Sequence, residues 1–104
     1  QRLQVPSNAP NVFVASLNKS LAITAFELTL ALRKAGLKAD MDHAARSLKA
    51  QFKYADKLGA TYVAILGDDE VQKGVVKVRN MNTKEEQELP LHTAAEILKG
   101  RINP

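Results

Sequence analysis

Cysteine and tryptophan are absent from this chain, and aromatic residues make up only 5% of it. Without cysteine there are no disulfides and no thiolate metal ligands, which fits a reducing compartment and an expected cytoplasmic location. No apolar run is long enough to cross a bilayer, and residues 1–10 lack the apolar middle of a secretory signal. Glycine is too scattered for a phosphate-binding loop, since Gly59, Gly67 and Gly74 each stand alone. His43 and His92 lie far apart with no ligand-spaced partner, which argues against a metal site. Asp40 and Asp42 alternate along one short run, with no nucleophile or cleft to make them an acid–base pair. These absences leave no catalytic residue and no cofactor site within the chain. They point to binding.

What is present is enough for one domain. The 104 residues are 45% hydrophobic and 25% charged, with a formal charge of +4 and a pI near 9.5. That composition suits a single globular core, and the mild basic excess fits either a polyanionic partner or simple solubility.

Residues 1–10, with two prolines and little apolar content, read as a linker from a missing upstream domain, with one folded domain over 11–104. Asn11–Leu17 is a β-branched and aromatic run suited to a strand buried on both faces. Asn18 or Ser20 can cap a helix that continues to Ala35, ahead of Gly36. Leu21, Ala25, Leu28, Leu32 and Ala35 form its sheet-facing stripe. Ile23, Phe26 and Leu30 form a second apolar stripe on nearly the opposite side, read either as scattered exposed residues or as a docking interface. Leu37–Asp42 reads as a second strand and Met41–Arg46 as its exit loop. Ser47 caps the next helix, which ends at Gly59 and buries Leu48, Phe52, Ala55 and Leu58; Lys49, Lys53 and Lys57 occupy another face. Ala60–Leu66 is a buried strand. Asp68 is expected to cap a short helix closed by Gly74, and Val75–Arg79 alternates as a strand. Asn80–Thr83 is a turn, Lys84–Leu89 a returning strand ended by Pro90, and Thr93 with Glu96 a capping box for a last helix.

Strand–helix alternation followed by a hairpin predicts an α/β fold with a mixed sheet. Ligands of such sheets gather at the carboxyl ends of the parallel strands. Arg46 and Lys49 open a helix there, where the dipole favours an anion such as phosphate; a solvated lysine face is the alternative. Asp68 and Asp69 suit a first helical turn. Glu70 is placed to accept from the two donors on an unstacked guanine, with Arg79 orienting that carboxylate or bonding a base or phosphate itself. Phe52 and Tyr54 read as packing residues, which would make any base platform polar.

Gly67-Asp-Asp-Glu70, followed nine residues later by Arg79 within VVKVR, is similar to the closing half of the anticodon-binding domain shared by one subclass of class II aminoacyl-tRNA synthetases. GLKADMDHAARSLKAQFKYADKLGATYVAILGDDE resembles the bacterial histidyl branch of that family, and the likeness covers about Asn11–Leu98. The resemblance implies a three-layer α/β/α fold with a five-stranded mixed sheet in the order 2-1-3-4-5. It implies binding of the histidine tRNA anticodon loop, anticodon GUG, by Glu70 and Arg79, with Arg46, Ser47, Lys49, Gln51 and Lys53 as further RNA-binding residues. It also implies a parent ligase that is a homodimer, whose separate catalytic domain binds ATP with magnesium and histidine. A second possibility is a synthetase-like domain serving protein association or regulation without reading tRNA.

Overall fold

The computed structural model describes residues 10–41 and 47–102. Nearly all of the expected linker, Asp42, His43 and the candidate Arg46 lie outside the described residues. Five strands form one sheet: β1 (Val12–Ser16), β2 (Ala39–Met41), β3 (Tyr62–Leu66), β4 (Val75–Asn80) and β5 (Glu86–Pro90), in the order β2-β1-β3-β4-β5. β1 is parallel to β2 and β3, while β4 is antiparallel to β3 and β5. The helices are α1 (Ala22–Lys34), α2 (Leu48–Leu58), α3 (Asp68–Lys73) and α4 (Ala94–Ile102). The order and the mixed sheet are those the resemblance implies.

Side-chain alternation on the strands explains the layers. Val12, Val14, Ala64, Leu66, Val76 and Val78 face α1 and α4, meeting Leu21, Ala25, Leu28, Leu32, Ala94 and Leu98. Phe13, Ala15, Val63 and Ile65 face α2, meeting Ala55, Leu48, Phe52 and Leu58. Phe13 is fully buried and meets the Tyr54 ring edge-on at 5.7 Å; burying such a ring contributes roughly 1.5–3 kcal/mol. Two helices therefore cover one face of the sheet and a single helix covers the other. The second layer stops short of β4 and β5.

The helix ends follow local chemistry. Ser47 accepts from the Ala50 N–H at 3.2 Å, and Gly59 closes α2 with φ of +79°, a left-handed cap that costs glycine little. α1 lacks a side-chain cap and is entered through a 3-10 turn over Lys19–Leu21. The N-cap of α3 is Gly67 rather than the expected Asp68, which becomes the first helical residue and accepts from the Asn18 side chain at 2.8 Å. β5 begins at Glu86 and includes Pro90, two residues past the expected start. It is an edge strand, where proline's missing N–H is tolerated.

Candidate functional site

The carboxyl ends of β1 and β3 define one rim of the sheet. There the Leu17 N–H donates to the Leu66 carbonyl at 2.9 Å, and Gly67 turns the chain into α3. Glu70 is the third residue of α3, the position from which a capping glutamate folds back over the cap. It does so here. A Cβ added at Gly67 would collide with a Glu70 carboxylate oxygen and come within 2.8 Å of Leu17 Cδ1. Glycine is thus what lets Glu70 lie over the rim. Among the described residues no hydrogen bond or ion pair holds its carboxylate, which leaves two acceptor oxygens for a ligand.

The first turn of α2 stands at the same rim, and from it a cleft of about 540 Å³ runs down between α2 and β4. Its lining is Leu48, Lys49, Phe52, Lys53, Asp56, Arg79, Met81 and Lys84. Four cations therefore face one carboxylate over a floor of three apolar side chains. Lys49 and Lys53 share this flank because residues four apart are neighbours on a helix. The arrangement suits a chain of phosphates that carries flat apolar groups, as unpaired nucleotides do.

Arg79 reaches the cleft from β4. Its guanidinium carbon lies 5.1 Å from the centre of the Phe52 ring, and Nη1 lies 3.4 Å from Glu86 Oε2. Its Nε is enclosed without a hydrogen-bond partner among the described residues. Both partners of the ion pair are about one-third exposed, so the pair is worth at most about 1 kcal/mol and can give way to a better acceptor. The pairings Val63–Arg79, Ile65–Lys77, Lys77–Glu88 and Arg79–Glu86 put Lys77, Arg79, Glu86 and Glu88 on the sheet face that α2 leaves bare.

The expected residues are thus divided between two places. Lys49, Lys53 and Arg79 share the cleft; Glu70 sits at the rim. Arg79 does not orient Glu70. It pairs opposite Val63, three residues before the end of β3, which puts it about 10 Å down the sheet. Ser47 spends its hydroxyl oxygen capping Ala50. Gln51 is a correction: only 2% exposed, it bonds the backbone of Ser16 and faces the interior instead of RNA. Phe52, Met81 and Lys84 are lining residues that the sequence reading did not select. Phe52 was expected only to pack, yet its flank carries Arg79; its spacing of three from Lys49 was the available signal.

A family model described as "Anticodon binding domain" matches residues 11–101. The chain belongs to the anticodon-binding domain family. It is 41% identical over 105 residues to a histidine–tRNA ligase of Alkaliphilus oremlandii, a match covering 97% of this chain and 25% of that protein. Histidyl-tRNA synthetase structures from Nostoc and Staphylococcus aureus superpose with TM-scores of 0.88 and 0.83, at 29% and 32% identity. They are matched over 97% and 89% of this chain and 24% of each synthetase. The chain thus spans about a quarter of the length of the relatives it matches.

Away from the cleft, α1 shows the second apolar stripe. Ile23 is 74%, Phe26 51% and Leu30 45% exposed, with Leu17 nearby in sequence at 48%. Leu21, Ala25, Leu28 and Leu32 of the sheet-facing stripe are buried, while Ala35, past the helix end, is half-buried; the outward stripe is surplus to this domain's core.

Proposed function

We propose that this chain recognises the anticodon loop of histidine tRNA as one domain of a histidine–tRNA ligase. The observation that carries the reading is the cationic cleft of Lys49, Lys53, Arg79 and Lys84, which opens from a rim where the Glu70 carboxylate has no hydrogen-bond or ion-pair partner among the described residues. Cations along α2 hold phosphates without regard to sequence, while Glu70 accepts from the Watson–Crick donors of a splayed guanine. Arg79 binds a base or phosphate from its seat on Phe52. Relatives named histidine–tRNA ligase support histidine tRNA as the partner, and the association-only alternative gains nothing from them.

In the same reading, the protein works in the cytoplasm as part of a homodimeric ligase. ATP with magnesium and histidine are held by the separate catalytic domain of that ligase. The stripe of Ile23, Phe26 and Leu30 docks against that domain or a second subunit.

The test is a titration of the chain with a GUG anticodon stem-loop, an anticodon-swapped stem-loop and a scrambled hairpin, at low and moderate salt. Tighter binding of the GUG form is expected. Equal binding of all three would remove base reading from the function.

A further inference from the structure

The turn between β4 and β5 holds the chain's one non-glycine residue of positive φ among the described residues, Lys84 at +67°. The turn is closely determined. Asn80 Oδ1 accepts from the N–H groups of Asn82 and Thr83 at 2.8 and 3.0 Å, and the Asn80 carbonyl accepts from the Lys84 N–H at 2.8 Å. Asn80 N–H in turn donates to the Glu85 carbonyl at 2.8 Å. Hairpins often close with a left-handed residue, and glycine is the usual occupant because a Cβ there is strained by about 1 kcal/mol. This turn needs a left-handed residue but does not need a lysine. The lysine it carries lines the lower end of the α2–β4 cleft, beside Met81 and beyond Arg79. No hydrogen bond or ion pair holds its ammonium among the described residues. A cation has been put, at some cost in backbone strain, where glycine would serve the fold better.

We propose that Lys84 is a phosphate-binding residue for single-stranded RNA lying along the cleft, with Asn80 positioning it. The RNA path then continues past Arg79 to the rim that carries Glu70, so that Lys49 and Lys84 hold phosphates at its two ends and Phe52 and Met81 lie beneath it. This rests on the anticodon-loop reading and lengthens the surface that reading uses.

The experiment titrates the chain and its variants with the GUG anticodon stem-loop across a salt series, alongside thermal melts. Lys84→Gly separates strain from binding. It is expected to melt at an equal or higher temperature, to bind about fivefold more weakly at low salt, and to lower the log–log salt slope by about 0.7 to 1, the signature of one lost phosphate contact. Lys84→Arg keeps the charge and is expected to restore most of the affinity. Asn80→Ala, which frees the turn while leaving Lys84 charged, is expected to weaken binding less than Lys84→Gly does. An unchanged slope in Lys84→Gly, with Lys49→Ala still reducing it, overturns the role of Lys84 and leaves the anticodon reading in place. Failure of the unaltered chain to prefer the stem-loop over a scrambled hairpin overturns both.

Discussion

Gln51 and Ser16 are joined by two hydrogen bonds: the Ser16 N–H donates to Oε1 at 3.1 Å, and Nε2 donates to the Ser16 carbonyl at 2.9 Å. Even-numbered residues of β1 turn their polar groups toward β2, as Val12 does in donating to Lys38 at 3.1 Å. β2 pairs only as far as Val14, so the carboxamide does for Ser16 what a further strand residue would. Gln51→Leu is expected to destabilise the chain by about 2 kcal/mol or more by stranding both groups. Denaturant unfolding measures this. RNA affinity of the folded protein should be unchanged, and a variant of normal stability with weakened RNA binding would return Gln51 to the interface.

Gly67 and Glu70 offer a substitution aimed at discrimination. Gly67 has φ of −118°, which alanine can adopt, so Gly67→Ala should lose only about 1 kcal/mol from the weaker N-cap. Its Cβ would push Glu70 off the rim. The preference for the GUG stem-loop over one with a substituted guanine should shrink toward that of Glu70→Ala, by roughly 1–3 kcal/mol if the carboxylate takes both guanine donors. Binding to the substituted loop should change little.

Lys49 and Lys53 lie on one flank of α2 and should act without regard to sequence. Each alanine substitution is expected to weaken matched and swapped stem-loops alike and to reduce the salt slope by about 0.7 to 1. Lys57, outside the cleft lining, is the internal control. A Lys57→Ala effect as large would mean that diffuse charge, rather than the cleft, holds the RNA.

Phe52 holds the flat side of Arg79. Phe52→Leu keeps apolar volume but removes the ring, worth about 0.5–1 kcal/mol to the cation. Arg79 should then order less readily, and RNA affinity should drop two- to fivefold, in line with that energy. Arg79→Lys is expected to fall further, because an ammonium cannot offer a planar pair of donors. Glu86→Gln removes the competing negative charge and should raise affinity. A drop in Glu86→Gln would recast Glu86 as a guide for Arg79.

Phe26→Glu tests the outward stripe of α1. Because Phe26 is 51% exposed, its replacement should leave the melting temperature of this chain within a few degrees. If the domain docks through this stripe in a full-length histidine–tRNA ligase, as proposed, the same substitution should weaken that docking, read as altered thermal unfolding or subunit assembly. A large loss of stability in the chain alone would place Phe26 in its core.

The layers were legible because their signals are local. Stripes such as Leu21, Ala25, Leu28 and Leu32, and a buried run such as Tyr62–Leu66, declare their elements through period alone. The division of the site was harder to see. Glu70 and Arg79 are nine residues apart, which suggests neighbours, but β4 leaves the rim antiparallel to β3 and carries each successive residue about 3.4 Å away from it. Gln51 was misplaced for a related reason. Its amide gains a partner only through the register of β1, thirty-five positions away, and periodicity carries no information about that. Lys84 in turn reads by pattern as the first residue of the returning strand, and nothing in that pattern signals its left-handed backbone.

The bare half of the sheet beside α2 has a consequence for how such domains can diverge. Neither apolar cluster depends on residues 82–85. Lengthening, shortening or recharging that turn therefore shifts the outer wall of the groove while both apolar clusters stay packed. Grafting those four residues would change how tightly the groove holds a phosphate chain, with no repacking to follow.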